Sequence, residues 1–556
     1  MSFHFTEDLV TDQPAIADSE TVPASPFRWQ WGVGIFTFGC LLEALVWFYF
    51  APDRTYQVFF SLPVVSGTVF FTTLWWVFAS GLPLTTRVIG IVVLAGAALG
   101  FRSQYRIKEF RGDMMPVFVS TSELTDEEKL DAYLKTVEST APPNVESAGA
   151  GQGANAADES ANNTEPPRLE IADGDWPQFR GPQRDGIVNA DLSGVNWQQA
   201  PVEVWRHPVG RGWSSFAIVG GLAFTQEQRG DNECAVCYDA LTGKQVWEHA
   251  DPIRFDEAMG GPGPRATPTI VDSRLCSLGA TGQLNCLDPL SGQKLWARNI
   301  LDDAGAENLK WAMSGSPLIV DGRVIVIPGG ENDHGVAVYD AESGEPVWSA
   351  GNAPASYAAP TLANLHGTQT LLAFHGLGLS GHDLSDGKLL WSVPWENDPK
   401  VNAAEPVVVD DSSVLIATGY GQGATLIRVQ QNGDDWSTES AWTEKRFKLK
   451  FNAPVRQGEY VYGLSEGILM CLNLGSGKIE WKAGRYGYGQ LLLAGDTLIV
   501  LAENGDIAYV SARPDEYEEL GRYPALNGKT WNHPVVWNGH LFARNGEEAA
   551  CFKLSR

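Results

Sequence analysis

Two cysteines separated by two residues, Cys234 and Cys237, form the pattern in this sequence most typical of metal or redox chemistry. A zinc site needs a second such pair, and a haem attachment site needs a histidine directly afterwards, where this chain has Tyr238. One equivalent position of a repeated pattern is occupied by four cysteines, Cys237, Cys286, Cys471 and Cys551. We therefore predict small buried packing residues rather than one metal cluster.

The acidic and amide residues that could bind Ca²⁺ or act as a base are scattered along the chain. They are Glu227, Glu331, Asn332 and Glu405. A hard cation requires several convergent oxygens, which this spacing does not provide. We interpret each as a solvated loop residue, and we predict no catalytic residue and no metal site.

A second group of residues could bind a ligand. Its members are found three positions before the proline that recurs at the start of a repeated strand, or before the residue that replaces this proline. They are Arg265, Tyr357, Phe451, Tyr488 and Trp531. If the repeated strands line one channel, these side chains meet at its mouth, where they would suit a planar or anionic ligand. The alternative is that they pack between repeats, with Arg265 bound to backbone carbonyls. Both interpretations stay open at this point.

The elements that must position these residues are repeats. An apolar strand, an Asp or Asn, a Ser/Thr-Gly turn and a Trp-bearing strand recur about every 46 residues. The tryptophans of this phrase are Trp205, Trp247, Trp296, Trp348, Trp391, Trp442 and Trp481, and Tyr523 ends an eighth, degenerate copy. A second phrase, a small residue and Pro followed by two strands, also occurs eight times. We predict an all-β, eight-bladed β-propeller with four-stranded blades, in which the tryptophans pack between blades.

The two ends of the repeat region predict how the ring closes. The chain finishes with CFKL, a third strand without a fourth, whereas Trp205 lies in PVEVWRHPVG, a fourth strand without a blade before it. Pairing these two segments would complete the last blade and remove the open sheet edges.

The N-terminal part has a different composition. After a tail (1–27), residues 28–101 contain three apolar stretches, 31–50, 57–79 and 82–101, which predict transmembrane helices. Residues 102–170 predict a connector, with a short amphipathic helix after the Thr125/Glu128 capping box and a flexible linker (139–169). The propeller would occupy residues 171–556.

Charge limits the partners and complicates the topology. The chain has 40 Lys and Arg against 67 Asp and Glu, a net charge of −27, which argues against nucleic acid or an anionic lipid surface as partner. With three spans and a cytoplasmic N-terminus, everything after Phe101 would lie outside the cytoplasm, and together with the family resemblance described below this predicts an inner-membrane protein with a periplasmic propeller. The positive-inside rule favours the opposite orientation, because four basic residues, Arg102, Arg106, Lys108 and Arg111, follow the last apolar stretch.

The Asp-x-x-Ser/Thr-Gly-x-x-x-Trp phrase resembles the repeat of the pyrroloquinoline-quinone (PQQ)-like propellers. That family contains quinoprotein alcohol dehydrogenases and a non-enzymatic lipoprotein of the outer-membrane β-barrel assembly machine. The segment DWPQFRGPQRDGIV, residues 175–188, resembles the start of a bacterial group of membrane-tethered members. The quinoprotein dehydrogenases of this family hold PQQ at the mouth of the channel, between a Ca²⁺ ion and a disulfide formed by adjacent cysteines. A resemblance to these enzymes would imply the same arrangement here.

This chain has no adjacent cysteines, and its Ca²⁺ ligands cannot be located from the sequence. We therefore predict a non-catalytic, membrane-integral scaffold or ligand-binding module, without a cofactor, that binds another protein. A membrane-bound quinoprotein oxidoreductase holding PQQ and calcium remains the alternative.

Overall fold

The computed structural model of the protein describes residues 28–50, 54–140 and 168–556. The predicted tail (1–27) and most of the predicted linker (139–169) lie outside these described residues. The described chain forms a group of apolar helices, a short hairpin followed by a helix, and eight β-sheets.

Three apolar helices come first. Their bounds are Trp29–Leu45 (α1) with a π-helical continuation Val46–Phe50, Arg54–Leu74 (α2) with a continuation Trp75–Ala79, and Leu84–Gln104 (α3). All three are long and apolar enough to cross a membrane, as the sequence predicts. Small residues allow close packing within this group: a Cβ on Gly39 would lie only 2.3 Å from Oγ1 of Thr68.

A hairpin that the sequence analysis does not predict follows α3. Its strands are Tyr105–Phe110 and Pro116–Ser120, and we call residues 105–120 the N-terminal hairpin. Helix α4, Asp126–Thr140, then begins at the predicted capping box: the Thr125 N–H donates to Oε2 of Glu128 at 2.7 Å, and the Glu128 N–H donates to Oγ1 of Thr125 at 3.2 Å. The hairpin and helix belong to the same compact unit as the β-sheets.

The β-sheets are eight propeller blades, which confirms the predicted fold class. The first strands of blades 1 to 8 are Ala217–Val219, Thr269–Val271, Leu318–Val320, Thr361–Leu365, Val407–Asp410, Val455–Gln457, Gln490–Ala494 and Val535–Trp537. The second strands are Leu222–Arg229, Arg274–Leu278, Arg323–Val326, Thr368–His375, Ser413–Thr418, Tyr460–Ser465, Thr497–Leu501 and His540–Arg544. The third strands are Asn232–Asp239, Gln283–Leu287, Val336–Asp340, Gly378–Asp383, Gly423–Asn432, Ile468–Asn473, Asp506–Ser511 and Glu548–Lys553.

The fourth strands carry the repeated aromatic residue. They are Gln245–Asp251, Lys294–Asn299, Pro346–Ala350, Leu389–Pro394, Asp435–Glu444, Ile479–Arg485, Glu519–Pro524 and, for blade 8, Val202–Pro208. A short helix, Ile300–Ala304 (α5), follows blade 2, and Ile187–Val188 adds a parallel strand to the first strand of blade 7.

The ring closes as predicted. The strand Val202–Pro208, which precedes blade 1 in the chain, pairs antiparallel with Glu548–Lys553 and places Trp205 opposite Cys551. Blade 8 therefore combines residues from both ends of the propeller sequence, and the closed ring leaves only short outer edges.

Tryptophans join neighbouring blades by docking on the Ser/Thr-Gly turn of the next blade. The indole N–H of Trp205 donates to the carbonyl of Ala240 at 2.8 Å, and that of Trp247 donates to the carbonyl of Pro289 at 2.9 Å. The ring of Trp205 lies so close to Gly243 that a Cβ there would be 2.7 Å away. Because Gly243 also has φ of 69°, the turn requires glycine for both reasons.

The same indole hydrogen bond occurs at three further junctions, from Trp296 to Ala341, Trp442 to Leu474 and Trp481 to Arg513. Among the described residues, the indole nitrogens of Trp348 and Trp391 have no acceptor. Trp391 precedes blade 5, whose copy of the phrase, RVQQNGDDWSTESAW, lacks the Ser/Thr-Gly turn.

A tryptophan whose indole has an acceptor and one whose indole has none can be compared to test the docking hydrogen bond. Trp247→Phe removes an indole donor from a buried junction, whereas Trp391→Phe removes one that has no acceptor; the two side chains are 9% and 4% exposed. We expect Trp247→Phe to lower the free energy of unfolding by about 1 kcal/mol more than Trp391→Phe, because only the first leaves a carbonyl unpaired. Guanidinium denaturation of the full chain in detergent, followed by circular dichroism, measures both. Equal losses would contradict the proposed role of the hydrogen bond.

Candidate functional site

Three of the five predicted mouth residues form one aromatic cluster. The ring of Phe451 lies 5.6 Å from that of Tyr488 and 4.8 Å from that of Trp531, centroid to centroid. They precede the first strands of blades 6, 7 and 8, which the repeat brings side by side. The cluster therefore covers the channel mouth over these three blades.

The other two predicted residues form a second group. Arg265 donates to the carbonyls of Gly261 (2.7 Å), Gly263 and Trp311 (3.2 Å), and it pairs with Glu257 at 3.4 Å. Burial lowers the pKa of Arg265 to about 10. The Tyr357 ring packs 5.7 Å from that of Trp311. Most donors of Arg265 are thus engaged by backbone, which is the packing alternative of the sequence analysis.

A lysine that sequence reasoning missed lies in the first cluster. The ammonium of Lys529 is 4.2 Å from the ring centroid of Trp531 and 5.0 Å from that of Trp213, whose own rings are 4.9 Å apart. Burial between these rings lowers the pKa of Lys529 to about 8, despite the nearby carboxylate of Glu109. Lys529 precedes blade 8 in a loop without a repeated phrase, so the sequence offers no signal for it.

The N-terminal hairpin covers this aromatic cluster. The backbone N–H of Gly112, at the hairpin tip, donates to Oε1 of Glu503 at 2.7 Å, and the same carboxylate accepts from the indole of Trp531 at 3.0 Å. Lys529 donates to the carbonyl of Phe110 at 3.0 Å. A Cβ on Gly112 would lie 2.3 Å from the Tyr488 ring. The hairpin tip thus occupies the space directly above Tyr488.

Charged pairs hold the hairpin and α4 on the propeller. The three pairs are Lys108–Glu547 (2.5 Å), Arg211–Asp126 (3.2 Å) and Lys529–Glu109 (3.7 Å). All six side chains are less than one-fifth exposed, so their attraction is screened less than that of surface pairs. Burial, followed by the nearby Asp126 carboxylate, raises the pKa of Glu547, while Lys108 opposes this effect.

Helix α4 docks on the strand that closes the ring. Tyr133 of α4 stacks on His207, with ring centroids 5.2 Å apart and an interplanar angle of 3°. His207 in turn stacks on Trp205 at 4.9 Å, and burial lowers the pKa of His207. The neutral imidazole is therefore part of a continuous aromatic stack from the helix to the blade junction.

The channel itself is filled from the other side by residues 175–188, which we call the channel segment. Trp176 exchanges two backbone hydrogen bonds with Ile218 of blade 1, each 2.7 Å long. The carbonyl of Gly186 accepts from the N–H of Leu493 of blade 7 at 2.9 Å. The segment therefore bonds to first strands in different parts of the ring.

Two buried arginines of the channel segment reach opposite sides of the ring. Arg180 donates to the carbonyls of Ala453 (3.2 Å) and Pro454 (2.6 Å), directly before blade 6. Arg184 donates to the carbonyls of Ser316 (2.8 Å) and Pro317 (3.0 Å), directly before blade 3. Burial lowers the pKa of Arg184 to about 10. These guanidinium groups satisfy strand carbonyls that face the channel.

Two acidic residues are not the solvated loop charges that the sequence analysis expected. Glu227 is fully buried and accepts from Tyr238 Oη at 2.7 Å and from Nε of Arg229 at 3.0 Å. Glu405 is 7% exposed, and burial raises its pKa although Arg180 opposes this. The expectation was wrong because each carboxylate also lies near a buried arginine that is distant in sequence, Arg544 for Glu227 and Arg180 for Glu405. Glu331 and Asn332 are exposed.

The cysteines lie opposite the docking tryptophans. Each of the four equivalent thiols faces a fourth strand, in the pairs Cys237–Trp247, Cys286–Trp296, Cys471–Trp481 and Cys551–Trp205. All four are buried and free. Burial raises the pKa of Cys234 to about 12, which keeps this neighbouring thiol protonated.

These residues do not fit a PQQ–calcium site. Across the described ranges, no group of three or more His, Cys, Asp or Glu side chains is placed to hold a metal ion. Glu227 and Glu405 already have cationic partners or neighbours. The N-terminal hairpin occupies the space above Tyr488, one of the predicted mouth residues.

The close contact at Gly112 provides a test of this cover. Gly112→Ala would place a methyl group against Tyr488, whereas Gly194→Ala adds one where nothing lies within 4 Å. We expect Gly112→Ala to accelerate hydrogen exchange in the N-terminal hairpin about tenfold, because overpacking costs on the order of 1–3 kcal/mol. Exchange of the full chain in detergent, followed by mass spectrometry, measures the effect. Unchanged exchange in Gly112→Ala, or an equal change in Gly194→Ala, would show that the tip is not held there.

Comparison with known proteins finds similar repeat proteins. Residues 230–483 match the PQQ-repeat family model described as Outer membrane protein assembly factor BamB. The assembly factor BamB of Yersinia pestis is 24% identical over 388 residues, covering 58% of this chain and 92% of the relative. BamB of Moranella endobia is 25% identical over 260 residues, covering 44% and 64%.

Similar solved structures are distant in sequence. The quinohemoprotein alcohol dehydrogenase of Comamonas testosteroni has a TM-score of 0.49 and 12% identity, covering 69% of this chain and 81% of the dehydrogenase. BamB of Moraxella catarrhalis has a TM-score of 0.44 and 16% identity, covering 64% and 98%. This chain has the eight-bladed fold of the PQQ-like β-propellers, and its residues 230–483 match the repeat of that family.

Proposed function

We propose that this chain is a membrane-anchored propeller that acts as a non-catalytic scaffold for other proteins. The observation that carries the proposal is the cover of the channel mouth, where the chain's own Gly112 packs against Tyr488 and bonds Glu503. On the other side, Arg180 and Arg184 fill the channel. A propeller closed by its own residues at both ends offers its outer surface for binding rather than an interior for turnover.

The relatives support the same proposal. The proteins from Yersinia pestis and Moranella endobia are named as outer membrane protein assembly factors. Such factors act through protein partners, and this chain shares their repeat over most of the blades.

The uncovered part of the mouth side is the surface we assign to the partner. The N-terminal hairpin and α4 bond to residues of blades 7 and 8 and to the loops flanking blade 1. Leu377, in the turn between the second and third strands of blade 4, lies outside this cover and is 38% exposed. The carbonyl of Leu377 accepts from the N–H of Trp395 at 2.9 Å, which fixes the turn. An exposed leucine on a fixed turn suits the centre of a protein interface.

Photo-crosslinking with a matched control tests this assignment. Leu377 and Leu241 are both exposed, by 38% and 43%, but Leu241 lies in a Ser/Thr-Gly turn at the other end of its blade. We expect a photoreactive residue at position 377 of the full chain, expressed in cells, to give a discrete crosslinked adduct, and one at position 241 to give none. Gel electrophoresis and mass spectrometry of the purified chain detect the adduct.

The competing oxidoreductase hypothesis supplies the contradicting outcome. The full chain is mixed with PQQ and Ca²⁺, binding is measured by calorimetry, and dye reduction is measured with alcohols and sugars. Stoichiometric binding together with alcohol- or sugar-dependent reduction would overturn the scaffold proposal, whatever the crosslinks show.

We also propose that the three apolar helices span the inner membrane and that the propeller lies on the periplasmic side. Two of the three basic residues that follow α3 bear on the charge argument, and the fourth basic residue of the sequence analysis, Arg102, lies in the last turn of α3. Lys108 pairs with Glu547 and Asp126, and Arg106 donates to the carbonyl of Glu123 at 2.9 Å. Because the charge of Lys108 is neutralised inside the folded unit, it contributes less to orientation than a loop lysine does.

Reporter fusions measure the orientation. A reporter placed after Arg556 should be active when it requires export, such as alkaline phosphatase, and inactive when it requires the cytoplasm, such as green fluorescent protein. The same reporters placed after Arg54, between α1 and α2, serve as a topology control. With a cytoplasmic N-terminus and three spans, both fusion points report the extracytoplasmic side. A fluorescent fusion after Arg556 would contradict this orientation.

A further inference from the structure

A cavity of about 400 Å³ lies between the N-terminal hairpin and blade 7. Its charged lining residues are Glu109, Arg111, Arg485, Glu503, Arg522 and Lys529. We call it the blade-7 cavity. Four cations thus line one cavity of a chain that carries 67 acidic and 40 basic residues.

Two of the cations and both acids already have partners. Lys529 lies 3.7 Å from Glu109, and Glu503 accepts from the N–H groups of Gly112 (2.7 Å) and Tyr488 (3.2 Å) and from an indole. Arg522 is held by both oxygens of Glu519, outside the lining, at 2.7 and 3.1 Å. The guanidinium of Arg522 also lies 4.5 Å from the ring centroid of Tyr486, which fixes its plane.

The two remaining arginines have no internal partner. Within the described part of the chain, the side chains of Arg111 and Arg485 make no hydrogen bond and no ion pair, and both residues are exposed and line the cavity. Many other arginines of this chain are paired, as Arg206 is with Glu203 and Glu548. Arg111 belongs to the N-terminal hairpin and Arg485 ends blade 6, so separate elements bring two unpaired guanidinium groups to one cavity.

We propose that the blade-7 cavity binds a phosphate group, with Arg111 and Arg485 as its principal ligands. A guanidinium donates two parallel hydrogen bonds to phosphate oxygens, and a phosphate offers enough oxygens for two such groups, whereas a carboxylate offers two. A volume of about 400 Å³ accommodates a phosphate with a small organic substituent. The net charge of −27 repels an extended anionic surface. A small anionic ligand enclosed by nearby cations is governed by those cations instead.

Binding would have a mechanical consequence. An anion held by both Arg111 and Arg485 joins the N-terminal hairpin to blade 6, next to the contact between Gly112 and Glu503. The ligand therefore stabilises the cover of the channel mouth. Its source is either a soluble phosphate compound or the headgroup of an anionic lipid, and the two share this chemistry.

Hydrogen exchange of the hairpin tests the proposal in the full chain. In detergent with chloride buffer of constant ionic strength, saturating inorganic phosphate should slow exchange of residues 105–120 about tenfold. In a second arm, the chain is placed in nanodiscs of phosphatidylcholine with or without phosphatidylglycerol. Arg485→Ala and Arg111→Ala should each abolish the slowing. Lys482→Ala, which removes an exposed cation from the same strand as Arg485, should retain it.

The arms separate the outcomes. Slowing by inorganic phosphate that both arginine variants abolish supports a soluble phosphate ligand. Slowing only by phosphatidylglycerol, again lost in both variants, supports a lipid headgroup. Unchanged exchange in both arms, or slowing that persists in Arg111→Ala and Arg485→Ala, overturns the proposal. Circular dichroism of each variant confirms that the propeller is folded, and the readout requires no protein partner, so it is independent of the scaffold proposal.

Discussion

The pairing of Val202–Pro208 with Glu548–Lys553 is the interaction on which the rest of the propeller depends. Without it, blade 8 would have three strands, and the junction with blade 1 would expose a sheet edge. The closing strand also carries Trp205, which docks on blade 1, and His207, on which Tyr133 of α4 stacks. One antiparallel pairing thus completes a blade, fixes the junction between the first and last blades, and provides the surface on which the region before the propeller folds.

The parts of the fold that the sequence predicts are those that repeat. Eight copies of each phrase predict eight blades, and the unpaired phrase around Trp205 predicts the closure. The N-terminal hairpin has no comparable signal. Phe110 and Lys529, whose contact helps to hold it, are 419 positions apart, and two short strands such as these are marginal without such packing. Local patterning cannot reveal an element whose stability comes from contacts this distant.

In the candidate site, too, the sequence predicts the residues at repeated positions and misses the others. Counting from the recurring proline places Phe451, Tyr488 and Trp531 next to one another because every blade repeats the same register. Lys529 lies in a loop between blades and Glu503 in a turn within blade 7, and neither position belongs to a repeated phrase, so the sequence does not predict them. Burial of the acidic residues could not be predicted for a related reason. Glu227 belongs to a strand, but its second nearby cation, Arg544, lies at the far end of the chain and meets it only because the ring closes.

The channel segment shows why arginine suits the carbonyls that lie directly before the first strands of the blades. The planar guanidinium of Arg180 reaches two of them before blade 6, and that of Arg184 reaches two before blade 3. A lysine would present one compact, strongly hydrated ammonium group and could not span the same acceptors. Glu405, buried near both arginines, offsets part of their charge. The chain's own arginines thus satisfy the carbonyls of four residues beside the first strands of blades 3 and 6.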